Sequence, residues 1–526
     1  MSERKWTPAQ KNCIDARGGS VLVSAAAGSG KTSVLVERVI RRITDKEHPV
    51  DIDRMLIVTF TRAAAAEMKG RLSARLAAYI AEHPEDRRLM RQQMLLPSAA
   101  ISTIHGFCTT FLRENFEAAG INPRFKVPES GDETLLRAEA LEETLEVFYA
   151  AAEPAFMRLA DLLNGRRDDR GLKAAVLATY NFIQAQAYPI AWLREHIAVA
   201  DPNTPLSDTV WGERIRRFTA QKLGLFADMA AKAILPFREC DGAEKYLTRL
   251  LEDAAVLQRA ALTVSDPTNE WDTCIRAVAS AIPATLPPAK GLPAAHTETV
   301  KTVWGIFRKE IRENLVPLFG DGEEALRQDL LDTAPQLTAF CDLIEAFSER
   351  YREKKTQKGL LDFNDLEHIT LSLLRNPETG KPTELAYETG RRYTEIFVDE
   401  YQDTNDVQDT IFRMLSCEDN SQFMVGDVKQ SIYGFRQAMP QIFMDKRNRA
   451  YPYDGTRFPA LITLGENFRS RKEVTGTVNF LFRQLMTKEF CGIEYAENEE
   501  LIPSATYPEL TGAETECLLF DHPYSG

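Results

Sequence analysis

The chain has 526 residues, 44% of them hydrophobic and 27% charged, which is core material for about three or four soluble domains. Its net charge of −13 argues against an indiscriminate polyanion binder but leaves room for a local basic groove.

The first distinctive element is the apolar run "SVLVSA" (20–25), followed by "AAGSGKT" and the helical "SVLVERVIRRI". Four more short β-like runs end in polar clusters: "MLIVTF" (55–60), "AAISTIH" (99–105), "EIFVDE" (395–400) and "QFMVGD" (422–427). Continuously apolar strands alternating with helices predict a parallel sheet covered on both faces. Ligands of such sheets bind outside the carboxyl ends of the strands, where all these polar clusters fall. The middle of the chain is helical in pattern, with a Pro/Ala-rich break at 281–295, and predicts an all-helical insertion. "PALITLGENFRS", after about residue 455, reads as a strand and turn opening another domain. The expected division is 1–130 and 355–455 for an α/β lobe, 131–354 for the insertion, and 456–526 for the start of a second lobe.

No internal repeat is evident, and no window approaches the roughly 18 apolar residues of a membrane span. The eight cysteines form no CxxC pair, and Cys108, near His105, lacks a second ligand pair, which argues against zinc. Scattered thiols fit a reducing compartment, so a cytoplasmic protein without membrane association is expected.

"AAAGSGKT" (25–32) carries the first chemistry. It fits the phosphate-loop pattern except that Ala25 stands where the first glycine would be. Gly28 and Gly30 let the backbone N–H groups of Ala26, Ala27 and Ser29 approach phosphates, and the helix N-terminus adds its positive end. Lys31 is placed to reach the β- and γ-phosphates of a nucleotide, and the Thr32 hydroxyl to ligate Mg²⁺. In "IFVDEYQDT", Asp399 is placed to hold Mg²⁺ through its waters and Glu400 to orient and deprotonate the attacking water.

Phosphate loops serve many functions, so the remaining clusters decide. "AAAGSGKT", "TFTRAAAAEMKGRL", "ISTIHGFC", "LLDFNDL", "VDEYQDT", "GDVKQSIYGFRQA" and "GENFRS" together resemble superfamily 1 helicases of the UvrD/RecB type. They stand in that family's order from Gln10 to beyond Arg469, and Ala25 is the family's usual residue. Lys429, Phe435 and the stretches "KGLLDFNDLEH" and "NFRSRKEVTGTVNFLF" are most similar to the AddA/RexA components of AddAB helicase–nucleases.

The resemblance implies a RecA-like α/β fold and an ATP-dependent 3′–5′ DNA helicase acting in double-strand break repair and recombination. It implies single- and double-stranded DNA as partners, and a heterodimer with an AddB/RexB-type protein. It also implies later helicase motifs and a nuclease domain that do not occur before Gly526, so a piece of a longer protein or a truncated homologue is expected. Among residues, it implies that Gln10 reads the adenine edge and Phe468 stacks on adenine, while Gln430 and Arg469 reach the γ-phosphate. Tyr433 and Phe435 offer faces on which bases stack, and Thr61, Arg62, His105 and Arg436 contact phosphates or flank the strand. Arg62 stands where asparagine is common. Two other readings stay open here: a stand-alone UvrD-type repair helicase, and a phosphate-loop module that gates binding without a DNA-stimulated ATPase.

Overall fold

The strands β1 (Val21–Ala25), β2 (Met55–Thr59), β3 (Ala100–Thr103), β4 (Glu395–Val398), β5 (Ser421–Gly426), β6 (Tyr451–Pro452) and β7 (Ala460–Leu464) form one sheet in the order β3-β2-β4-β5-β1-β7-β6. All its pairings are parallel. The computed structural model describes residues 5–164, 168–197, 204–488, 492–495, 499–508, 515, 516 and 518. The five runs read as strands in the sequence are all present in the sheet.

Alternation along each strand divides the core in two. Val21, Val23, Ile57, Phe397, Phe423 and Val425 join the cluster under helices α1 (Pro8–Asp15), α2 (Lys31–Thr44) and α3 (Arg62–Glu82). Leu22, Leu56, Val58, Ile396, Val398 and Met424 join the opposite cluster, with the helices Ile104–Glu114, Phe363–Leu374 and Asp406–Met414. Both faces are therefore covered, as the continuous apolar runs predict.

Register then assembles a common edge. Val398 pairs with Met424, and Met424 with Leu22, so the chain beyond β4, β5 and β1 emerges side by side. A buried ion triad fixes α2 to β4. Arg38 Nε donates to Glu395 Oε1 at 2.8 Å and Arg42 Nε to Oε2 at 3.0 Å, with Glu395 fully buried. Arg38 also donates to the Cys13 carbonyl at 2.6 Å, which adds α1. Removing one member of such a buried set leaves an uncompensated charge and costs about 3–5 kcal/mol.

The end of the chain departs from expectation. Instead of opening a second lobe at 456, the segment sends β7 into the first sheet, with Val21 to Ala25 paired to Ala460 to Leu464. The physical reason is the free side of β1: an apolar strand arriving there satisfies a row of backbone groups and covers Val23 and Ala25. The described residues from 344 onward belong to the compact unit built on this sheet.

The helical insertion is also narrower than 131–354. The first unit takes in residues 1–146, 173–192 and 344–526, and the second residues 147–172 and 193–343. The Ala187 N–H donates to Asp406 Oδ2 at 2.8 Å and the Val407 N–H to the Ala185 carbonyl at 3.2 Å, which ties the segment 173–192 to the first unit, and an aromatic cluster ties the extra segments to one another. Tyr180 lies 5.1 Å from Phe347, Phe347 stacks 6.0 Å from Tyr351, and the Arg137 guanidinium lies 5.5 Å from the Tyr351 ring. A helical period tells that a segment is a helix, not which core it joins.

In the described part of the second unit the helices Val210–Ile234 and Glu244–Ser265 pack together. Leu223, Ala230, Leu250 and Leu257 recur on their buried stripes, as amphipathic helices require. Trp271 and Trp304 complete this core, and their indole N–H groups reach the Phe319 carbonyl at 3.1 Å and Asp253 Oδ2 at 2.9 Å.

Candidate functional site

The loop between β1 and α2 is shaped by its glycines. Gly28 and Gly30 have φ of 70° and 84°, and a Cβ at Gly28 would lie 2.8 Å from Asn467 Nδ2. Gly30 is the left-handed N-cap of α2, and no side chain caps that terminus. The first-turn N–H groups and the helix dipole are thus available to an anion. Ser29 is buried and its hydroxyl has no partner among the described residues. This cradle fits the phosphates of a nucleotide.

Opposite the loop, β4 ends in Asp399 and Glu400. Lys31 Nζ and Glu400 Oε2 are 3.3 Å apart. Glu400 has φ of 53°, a left-handed conformation that a side-chain-bearing residue adopts only when its surroundings impose it. Burial pushes the Asp399 carboxyl up to about 6, the Glu400 charge adds to this, and Lys31 opposes it. The Asp403 carboxyl is raised to about 6 by burial and then by Glu400. Thr32 and Asp399 are the residues that would hold Mg²⁺. No group of three or more His, Cys, Asp or Glu able to hold a metal ion occurs among the described residues.

A row of hydrogen bonds leads away from Glu400. Gln402 Nε2 donates to Glu400 Oε2 at 2.8 Å, and the Asp427 N–H donates to Gln402 Oε1 at 2.9 Å. Gln430 Nε2 donates to Asp427 Oδ2 at 2.6 Å. A Cβ at Gly426 would lie 2.5 Å from Gln402 Oε1, so only glycine lets Gln402 reach Asp427. Gln402 and Asp427 were missed as site residues although both lie inside the quoted motifs. Gln402 lies two positions from Glu400 and Asp427 three before Gln430, but the bond that joins the two motifs spans 25 positions, and no local spacing reveals it.

The residues expected around the nucleotide converge on the loop. Gln10 is buried, donates from Nε2 to the Ser29 carbonyl at 2.9 Å and accepts at Oε1 from the Thr7 N–H at 3.1 Å. One amide hydrogen and one lone pair remain for a base edge. The Phe468 N–H donates to the Gly28 carbonyl at 3.0 Å, and the ring is 40% exposed. A Cβ at Gly28 would lie 2.9 Å from the Arg469 Cβ, which places Arg469 directly over the loop. Asn467, also missed, clamps this segment. It donates to the Ala27 carbonyl at 2.7 Å and accepts from the N–H groups of Arg469 and Ser470 at 2.9 and 2.7 Å. The N–H groups of Ala26 and Ser29, expected at the phosphates, are instead engaged: Ala26 donates to the Leu464 carbonyl at 2.8 Å, because the β1–β7 pairing continues into the loop, and Ser29 donates to the Ala26 carbonyl at 3.2 Å across the turn.

A second patch gathers the residues expected at DNA. Phe60 and Tyr433 have ring centroids 4.6 Å apart, and Tyr433 and Phe435 5.7 Å. The Arg436 guanidinium lies 5.4 Å from the Tyr433 centroid and 5.8 Å from that of Phe435. Phe435 is 75% exposed, so it is no core residue. Thr61 caps α3 by accepting from the Ala64 N–H at 3.0 Å, and Arg62 is exposed. His105 has other neighbours: its Nε2 lies 3.0 Å from the buried Glu367, and its ring 4.6 Å from Phe363. Phe60 and Phe363 went unnoticed because an aromatic at a strand end or helix start reads equally well as core.

The UvrD/REP helicase N-terminal domain matches residues 6–255 and 308–451. The A-type subunit of an ATP-dependent helicase/nuclease from Acetivibrio thermocellus is 39% identical over 97% of the chain and 42% of its own length. Its counterparts of the same name from Ruminiclostridium cellulolyticum and Listeria monocytogenes are 37% and 36% identical over 98% and 99% of the chain. The chain spans about 42% of the length of these relatives. With its phosphate loop, its Asp-Glu strand end and a domain match over most of its length, the chain belongs to the UvrD/REP helicase family.

Proposed function

We propose that this chain is the ATP-driven, single-strand-gripping part of a 3′–5′ DNA helicase that works within a helicase–nuclease in double-strand break repair and recombination. The observation that carries this reading is the row from Lys31 through Glu400, Gln402 and Asp427 to Gln430, three residues before Tyr433 and five before the exposed Phe435. The names of the relatives, and their greater length, support a larger whole with a second protein, of AddB type in this reading. Of the described helices none is long and apolar enough to cross a membrane, and the cytoplasm is the proposed location.

In this mechanism Lys31, the α2 N-terminus and the Gly28–Gly30 backbone bind the triphosphate, and Arg469 adds charge from above. Transfer of the γ-phosphoryl group of ATP to water, with ADP leaving, drives the cycle, and Thr32 and Asp399 would hold the Mg²⁺ that offsets the phosphate charge. Phosphate competes with Glu400 for Lys31. Glu400, released from that pair, orients the attacking water and takes its proton. Because Gln402 also bonds Glu400, the same exchange loosens or tightens the hold of Asp427 on Gln430. The turn bearing Tyr433, Phe435 and Arg436 then changes its grip on the strand.

Fluorescence anisotropy with labelled oligo(dT) across a salt series tests the grip. Phe435→Ala should weaken binding by about 1–3 kcal/mol, one base–aromatic stack, with an unchanged salt slope. Arg436→Ala should lower the slope of log affinity against log salt by about one, the mark of one phosphate contact. Indistinguishable behaviour of the two variants would remove Phe435 from the DNA platform.

A further inference from the structure

Lys429 is almost completely buried, yet its ammonium takes no part in the nucleotide or DNA contacts described above. Its Nζ lies 2.8 Å from Asp427 Oδ1 and 2.6 Å from Glu499 Oε2. Glu499 is itself buried, and Arg447 pairs with its other oxygen. Arg447 lies on the helix Pro440–Arg449, which follows the aromatic turn.

The chain beyond Glu499 leads back to the nucleotide. The Ile502 N–H donates to the Gly465 carbonyl, and the Ser504 N–H to the Asn467 carbonyl, both at 2.9 Å. Asn479 braces the same stretch, donating to the Leu501 carbonyl and accepting from the Leu501 N–H, each at 3.0 Å. Asn467 is the residue that clamps the phosphate loop and orients Arg469. Glu499 therefore joins two segments: the one carrying Arg469 and the one carrying Gln430. Asp427 receives both connections, from Gln402 on one side and from Lys429 on the other.

We infer that Glu499 is a positioning residue that, through Lys429 and Arg447, transmits the state of the Asn467–Arg469 segment to the Gln430 turn and its aromatics. It touches neither nucleotide nor strand. The charges matter because a buried carboxylate shared by two cations has a single favourable arrangement, whereas an apolar contact would let the segments slide. The inference rests on the motor reading above, since it supposes that nucleotide and strand are coupled.

The measurement is the dissociation constant of labelled oligo(dT) with and without a non-hydrolysable ATP analogue and Mg²⁺. In the unaltered chain the analogue should change the constant at least about fivefold, the lower end of ordinary site–site coupling. Glu499→Gln should keep each separate affinity within about twofold and bring the ratio close to one. Glu499→Asp, which keeps the charge, should recover most of it. A Glu499→Gln ratio equal to that of the unaltered chain overturns the inference. So does a Glu499→Gln protein that loses both ligands together, the sign of a merely structural role. A ratio of one in the unaltered chain would instead sink the coupling on which the motor reading stands.

Discussion

Lys31 and Glu400 stand 3.3 Å apart, and each neutralises the other until a phosphate competes. That pairing gives the two residues opposite phenotypes. Lys31→Ala removes the lysine that the loop aims at the phosphates, and ATP affinity and turnover should both be lost. Glu400→Gln leaves Lys31 unopposed, so ATP affinity should hold or rise. Turnover should fall by about 10²–10⁴, the usual worth of a general base. Titration of labelled ATP beside a turnover assay checks both, and equal loss of binding in the two variants would contradict the assignment. At this scale the loop was legible because its residues are contiguous: 25–32 hold the glycines of the cradle, the lysine and the proposed metal ligand in one turn. Asn467 was not, since the carbonyl it holds belongs to Ala27, 440 positions earlier.

Between elements, Lys355 near the end of the helix Glu323–Gln357 lies 2.8 Å from Asp362 and 2.6 Å from Asp365, at the start of the helix Phe363–Leu374. Asp362 and Asp365 also form a capping box. One ammonium cannot balance two buried carboxylates. Asp362 stays below the usual carboxylate range, helped by Lys355 against its own burial, whereas burial and the Asp362 charge push Asp365 up to about 6. A carboxyl raised above its unfolded value binds a proton preferentially in the folded state. Its contribution is fully present below the unfolded value and is lost as pH rises through about 6. Asp365→Asn does not titrate. The stability advantage of the natural chain over this variant should therefore grow as pH falls from 7 to about 4.5, by about 1–3 kcal/mol. Urea unfolding at a series of pH values decides it, and a pH-independent difference would mean that Asp365 carries no shared proton. In the sequence, "LLDFNDL" served only as one of the motifs of the family resemblance. It did not announce that a lysine from another helix is buried there.

Among the described residues two units of different construction stand out, one with a core on each face of the sheet and one with a core among helices. Only the first contains the phosphate loop. A ligand that binds one folded unit stabilises that unit by RT ln(1 + [L]/Kd), about 2.7 kcal/mol at a hundredfold excess over Kd. Calorimetry should accordingly resolve two transitions, and the ATP analogue with Mg²⁺ should raise one of them by roughly 3–6 °C while the other stays in place. A single transition moving as a whole would show that the two units unfold as one.

Strand identity, the parallel sheet and the phosphate loop were determined by the sequence alone, because each depends on residues adjacent in the chain. Apolar runs of four to six residues bury themselves on both faces, and glycines admit positive φ wherever they occur. The ordered motifs likewise announced the helicase family before any contact was known. Tertiary structure alone decided that β7 closes onto β1 rather than opening a new lobe, and that residues 131–146, 173–192 and 344–354 join the sheet unit. It alone decided that Gln402, Asp427, Asn467 and Glu499 link the nucleotide loop to the aromatic turn. Those outcomes depend on which surfaces meet across hundreds of residues. Hydrophobic period and local hydrogen bonding are the same whichever partner a segment finds, so no local pattern could have distinguished them.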